Sequence, residues 1–347
     1  MSLNLNQRKQ QVLEAVVEDH IITAEPVSSR TIARKYQLGV SPATIRNEMA
    51  DLEEMGLIEQ PHTSSGRIPS QQGYRYYVDR LMRKSELTTD EEGQIHTIFA
   101  RQASELSLVV QHAIKLVTQL TDYLVFFSGP QLEHTALQQV RLIPVAPKRA
   151  LMVIVSETGW VENKFVDFDF PVTAEDLEQV AGVLNDHFRG LTFSQITRTV
   201  LRSVYQELTK QRLLLDYVLE IMESLARHEY TDGLYLGGTR NVLKQPEYRD
   251  IQQVRKLLDL VEGEQTLREI LHETTSEGIT VRIGRENRHD QVQDCGVITA
   301  VYLLGGNIVG AMGLLGPVRM NYARASSIVD YIAQSLSDYL SGPHSYF

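Results

Sequence analysis

Cysteine is almost missing from this chain: Cys295 is the only one in 347 residues. No intrachain disulfide can form, and a single thiolate cannot build a zinc cluster. Cys295 has no activating motif around it and borders an apolar run, so an inert core thiol is expected. Long apolar stretches are missing as well. None approaches the ~18 uncharged residues a membrane span needs. The opening Met-Ser-Leu-Asn-Leu-Asn lacks the charged and apolar regions of a secretory leader. A reducing cytoplasm is the expected setting. There is no internal repeat, low-complexity tract or heptad array.

The residue groupings that usually carry chemistry are incomplete. Gly237-Gly238-Thr239 and the trio Gly310, Gly313 and Gly316 have neither a Gly-Lys-Ser/Thr ending nor a Gly-x-Gly-x-x-Gly run. Turns and close strand packing explain them better than a phosphate loop. His62 has no spaced partner and lies in a polar turn. Asp167 and Asp169 alternate with Phe168 and Phe170, without a histidine or nucleophile in register, as on an exposed strand face. No catalytic residue, cofactor or metal is expected, and an enzyme reading has little to stand on.

What is present is an ordinary soluble composition, 42% apolar and 22% charged, with room for two or three domains. The net charge of −10 argues against a protein that coats nucleic acid indiscriminately. Its distribution is uneven. Residues 1–85 carry 11 basic and 10 acidic side chains, whereas the rest carries 23 against 34. Within 60–85, Arg67, Arg75, Arg80, Arg83 and Lys84 face only Asp79. An acidic bulk with a locally basic end favours binding polyanions through that end.

That end holds the most informative stretch. Ser41 is placed to cap a helix and Pro42 to occupy its first turn. Ile45, Met49 and Leu52 recur at the spacing of one buried face. Ala43, Arg46, Asn47 and Ala50 fall opposite, a cation and an amide among residues small enough for close approach. Gly56 ends the helix, Leu57-Ile58 starts a strand, and Gly66-Arg67-Ile68-Pro69 turns the chain back. Upstream, Val12, Leu13, Val16 and Val17 mark a first helix, and Ser28 or Ser29 opens a second with Ile32 and Tyr36 on one side. Gly39 serves the turn between helices two and three. Three helices and a wing in this order predict a winged helix-turn-helix, whose third helix enters the major groove. Arg46 suits guanine and Asn47 adenine. Ser41 and Thr44 suit phosphate or thymine methyl contacts, and Ser28, Ser29 and Arg30 a phosphate at the preceding helix start. Arg67 on the wing suits a minor groove or a phosphate. Taken singly, each is equally well an ordinary solvated side chain. Tyr74, Tyr76 and Tyr77 are expected to pack the wing against the helix that follows.

The run from Ser41 to Asp79, and the pair Gly296–Tyr302 with Ile308–Tyr322, resemble the signatures of the heat-inducible transcription repressor family HrcA. Ser65 and Ser70-Gln71-Gln72 depart mildly from the residues usual there. The resemblance implies a repressor of chaperone operons, binding the CIRCE inverted repeat in double-stranded DNA as a homodimer. It also implies that the GroE chaperonin assists folding of the repressor. A GAF-like domain interrupted by an inserted dimerisation domain is implied too. The residues beyond 85 agree in being α+β. A helical tract over 91–126 precedes strands near 140–145, 150–155 and 160–166, then a helix opened by Thr173 and Asp176. A long helical tract, 194–229, leads to helices near 247–262 and 264–273 and to strands 279–283, 297–304 and 308–315. The tract 199–222 reads as core or dimer surface. A closing helix follows Gly316-Pro317. The expected partition is a winged-helix domain over 1–85, a GAF-like α+β domain over 86–190 and 251–347, and a mostly helical dimerisation insert over 190–250. The competing reading is a metabolite-responsive regulator whose GAF-like domain senses a ligand.

Overall fold

A computed structural model of the chain describes residues 5–62, 65–99, 106–129, 135–157, 159, 161–226 and 234–341. Helix α1 (Gln7–Thr23) is capped by the Asn6 side chain, which accepts the Lys9 amide, and stops at Ala24 in a left-handed conformation. Val12, Leu13, Val16 and Val17 are fully buried beneath it. Helix α2 (Ser29–Lys35) turns through Gly39, at φ 70°, into α3 (Pro42–Glu54). Strands β1 (Ile58–Glu59) and β2 (Ile68–Pro69) form the wing, and Val27 adds a third bridge against Arg67. Helix α4 (Gln71–Tyr76), capped by Ser70, runs directly into a π-turn over Tyr77–Leu81. Tyr74 and Tyr77 are buried as expected, joining this helix to the winged core.

The rest of the chain differs from the expectation in three places. Helices α5 (Thr89–Phe99) and α6 (Leu106–Thr121) end before 126, and Leu124–Ser128 is a strand, β3. Asp122, at φ 58°, breaks the helix. The run Leu-Val-Phe-Phe is apolar without alternation because both faces of β3 are covered, and periodicity cannot tell such a strand from a helix end.

The second difference concerns the strands that follow. β4 (Leu137–Ala146), β5 (Arg149–Ser156) and β6 (Val161–Asp167) form an antiparallel sheet of their own, order β4-β5-β6. Thr158 and Trp160 of the expected turn and strand lie outside the described residues. Helix α7 (Ala174–Phe188), capped by Thr173, buries Leu177, Val180, Leu184 and Phe188 against the inner sheet face. The long tract then divides into α8 (Arg198–Glu207) and α9 (Arg212–Ala226), broken at Leu208; residues 227–229 lie outside the described set. Val204, Leu215, Val218 and Met222 complete a separate core.

The third difference follows from the second. The chain returns as β7 (Leu234–Gly237), α10 (Thr239–Val242), α11 (Ile251–Gly263), α12 (Gln265–His272), β8 (Ile279–Ile283), β9 (Cys295–Leu304), β10 (Asn307–Pro317) and α13 (Tyr322–Ser341). These strands and β3 make one antiparallel sheet, order β7-β3-β10-β9-β8. The chain leaves this sheet after Ser128 and rejoins it at Leu234, so strands 137–167 belong to the excursion rather than to this sheet. Val125 and Phe127 of β3 face α5, α6 and α13, while Leu124 and Phe126 face the side of α11 and α12. The strand glycines make room for rings: a Cβ at Gly313 would meet Phe126 at 2.4 Å, and one at Gly310 would meet Tyr302 at 2.1 Å. Cys295 opens β9, and burial pushes its thiol up to about 12. Among the described residues no helix is long and apolar enough to cross a membrane, and no His/Cys/Asp/Glu group could hold a metal ion.

Candidate nucleic-acid interface

Helix α3 forms where its sequence provides both ends. The Ser41 hydroxyl accepts the Thr44 amide at 3.1 Å and pairs with the Thr44 hydroxyl at 3.0 Å. Pro42 fills the first turn, and Gly56, at φ 74°, lets the chain leave. Ile45, Met49 and Leu52 are buried. Ala43, Arg46, Asn47 and Ala50 are exposed together on the opposite side. Ser28 caps α2 in the same way through the Thr31 amide and hydroxyl. Ser29 is half-buried and Arg30 exposed. The two serine caps and Thr44 thus have structural work already, whereas Arg30, Arg46 and Asn47 present side chains to solvent.

Helix α3 also carries carboxylates that would repel a phosphate backbone. The structure pairs three of them with cations. Glu48 and Asp51 share Lys9 of α1, at 3.0 and 2.8 Å, and Arg8 adds a longer pair to Glu48. The Asp51 and Glu48 carboxylates hold the Lys9 ammonium above its ordinary range. Glu53 is taken by the wing, where Arg67 donates through Nε and a terminal nitrogen at 2.9 and 2.8 Å. Local charge of one sign is what the reading face needs; these pairs leave Arg46 as its unpaired cation among the described residues, with Glu54 exposed at the C-terminal end of the same face.

The wing does not carry the free basic patch that counting residues 60–85 suggests. Arg67 is a clamp between wing and α3 rather than a projecting cation, and its backbone is tied to Val27 by two hydrogen bonds of 2.8 and 2.9 Å. Arg75 is paired with Asp79 and Glu286, and Lys84 with Asp330. Arg80 and Arg83 remain exposed. His62 sits in a turn in which its amide donates to the Ser65 hydroxyl, a structural role. No spacing pattern points to the Lys9–Glu48–Asp51 cluster. Its partners are about forty residues apart, and only the packing of α1 on α3 brings them together.

Two family models match the chain. One, described as the winged helix-turn-helix transcription repressor HrcA DNA-binding domain, covers residues 4–80. The other, the HrcA protein C terminal domain, covers 107–325. The chain belongs to the HrcA family. A heat-inducible transcription repressor HrcA from Pelotomaculum thermopropionicum is 44% identical over 339 residues, 97% of each chain. Its counterpart from Desulfitobacterium hafniense is 44% identical over 341 residues, 98% of this chain and 99% of that one. A crystal structure described as that of a hypothetical protein at 2.2 Å resolution superposes with a TM-score of 0.66 at 28% identity, over 97% of this chain and 99% of that one. These HrcA relatives are named as transcription repressors, a class of DNA-binding regulators and not of enzymes. The winged domain assigned from the Ser41–Asp79 run is the segment the first model matches.

Proposed function

We propose that this HrcA-family chain represses heat-shock chaperone operons in the cytoplasm by binding the CIRCE inverted repeat as a homodimer, with GroE chaperonin governing the active fraction. The observation that carries the reading is the face of α3: Arg46 and Asn47 stand between Ala43 and Ala50, exposed, with Glu48, Asp51 and Glu53 paired to Lys9 and Arg67 and Glu54 alone left open at the far end of the helix. Arg46 would read guanine and Asn47 adenine in the major groove. Arg30, with Ser28, Ser29, Ser41 and Thr44 at the two helix starts, would set the register on the phosphates. Arg67 would contribute by holding the wing rather than by direct contact.

Pairing of two copies is supported by the outer face of the β4-β5-β6 sheet. Ile143, Leu151 and Phe165 lie in register across the three strands. Phe165 is 50% exposed and Ile143 45%, with Val145 and Val161 also in the open. A contiguous apolar face of this kind on a soluble domain marks an association surface. The dimerising unit is then the Ser128–Leu234 excursion, carried on a GAF-like body made by the five-stranded sheet. Dependence on chaperonin requires only a modest folding free energy, because a few kcal/mol shifts the active fraction many-fold.

The test is a footprint on the DNA upstream of the protein's own coding sequence, with and without chaperonin, before and after a heat challenge. Protection of both halves of an inverted repeat, lost on heating and restored by chaperonin, is the expected result. Full operator binding through heating without chaperonin overturns the chaperonin dependence. A saturable metabolite that moves operator affinity instead favours ligand sensing.

A further inference from the structure

The irregular Met82–Thr88 segment, tied to α13 through Lys84 and Asp330, is not the winged domain's only link to the C-terminal body. Two sets of contacts seat it on the C-terminal body. In the first, Arg75 of α4 donates through Nε to Glu286 (2.8 Å) and through a terminal nitrogen to the Val281 carbonyl on β8, an edge strand (2.7 Å). Glu286 is itself oriented by the Ile283 amide at 2.7 Å. Beside it the Arg285 amide donates to the Gln71 side chain at 2.9 Å, and a Cβ at Gly284 would lie 2.1 Å from that side chain. In the second set, Arg319 donates to the Ile21 carbonyl in α1 at 2.9 Å while Glu247 and Gln245 hold its other nitrogens at 2.6 and 2.8 Å. Between the two sets the Tyr74 ring packs on Tyr322, centroids 6.1 Å apart, and the Tyr74 hydroxyl meets His20 Nδ1 at 2.7 Å.

One tether leaves a domain free to swing. Anchors on two different helices of the same rigid unit remove that rotation. We propose that this seam, with Arg75 and Arg319 as its positioning residues, fixes the separation and angle of the two α3 helices in a dimer and so determines which half-site spacing the protein accepts. The inference rests on the DNA-binding dimer proposed above. A rigid two-headed binder engages both half-sites only when they fall on one face of the duplex, ~10.5 bp or a multiple apart; otherwise it forfeits an avidity of ~10²–10⁴. A loosely tethered pair of heads tolerates other spacings.

The experiment titrates the full chain against the inverted repeat, against the same repeat with its spacer changed by up to about half a helical turn (~5 bp), against a repeat with both halves scrambled, and against a single half-site. Wild type is compared with Arg75→Ala, Arg319→Met and Gly284→Ala. The last disturbs the seam from the C-terminal side by displacing the Gln71 side chain and leaves every winged-domain residue unsubstituted, so it stands in if Arg75→Ala does not fold. Wild type is expected to lose on the order of 100-fold at a half-turn change, and the variants less than ~10-fold, with single half-site affinity within ~2-fold of wild type. Variants whose spacing profile parallels that of wild type overturn the proposal. So do variants that bind the natural repeat more tightly, since the seam would then be a brake. A wild type that reads the repeat yet accepts every spacing overturns the seam alone. A wild type that cannot tell the repeat from its scrambled form overturns the DNA reading beneath it.

Discussion

Two helical glycines should respond to alanine with opposite signs. Gly73 lies in α4 and Gly93 in α5, and helix propensity alone favours alanine at either by ~0.5–1 kcal/mol. At Gly93 an added Cβ meets nothing within 4 Å. At Gly73 it would lie 1.9 Å from the Leu57 carbonyl oxygen, a backbone atom at the root of the wing. Restoring a tolerable C···O contact of about 3.3 Å means parting α4 from that strand by roughly 1.4 Å. The Ser70 amide donates to the same carbonyl at 3.0 Å, so the hydrogen bond is lost in the move. Overpacking costs ~1–3 kcal/mol and the orphaned buried groups a further ~1–3, against ~1 regained from propensity. Gly73→Ala should therefore destabilise by ~1–5 kcal/mol, a large part of the ~5–15 that a domain has, while Gly93→Ala stabilises slightly. Urea unfolding of the full chain followed by near-UV circular dichroism reads both. A Gly73→Ala chain as stable as wild type would refute the packing of α4 on Leu57.

Four further outcomes are expected. Arg46→Ala and Asn47→Ala should each cost ~1–3 kcal/mol on the operator and much less on scrambled DNA, whereas Arg30→Ala should weaken both alike and lower the salt slope by about 1, all read by titration at several salt concentrations. Glu53→Gln distinguishes two roles for Arg67: as a clamp, its loss loosens the wing and weakens DNA binding as Arg67→Ala does; a gain in affinity would show that the freed guanidinium contacts DNA. Burial, helped by the Arg319 guanidinium, pushes His20 down to about 4. The unfolded ring takes its proton near 6.5, so stability should be flat above about pH 7 and fall as pH drops from there towards 4, by on the order of 2 kcal/mol for a partly exposed ring. His20→Gln, measured by urea unfolding at both ends of that range, should remove this slope. Phe165→Glu, on the outer sheet face where Arg149 now lies over the ring at 4.6 Å, should yield monomers by light scattering and abolish cooperative operator binding.

The winged domain was the most legible part of the chain because its determinants are local. Ser41, Pro42, the Ile45–Met49–Leu52 stripe and Gly56 are all read within one helix, and the structure places each as the spacing implies. The C-terminal body was less legible. Leu124–Ser128 lost the alternation of a strand by being covered on both sides. The strands over 137–167 alternate well, but alternation says nothing about which sheet a strand joins, so their separation from the five-stranded sheet was not readable. Charge counting failed for a related reason. Arg67, Arg75 and Lys84 raise the local basic count, yet their partners Glu53, Glu286 and Asp330 lie 14, 211 and 246 residues away. The seam was invisible for the same cause, since Arg319 and Ile21 are 298 residues apart.

The most direct measurement is the affinity of the folded, full-length chain for an inverted repeat from its own upstream region, set beside the same fragment with one half scrambled. Two α3 faces reading two half-sites should give cooperative binding, with the scrambled fragment weaker by on the order of 100-fold. Equal affinity for the two fragments at the same salt concentration would contradict it.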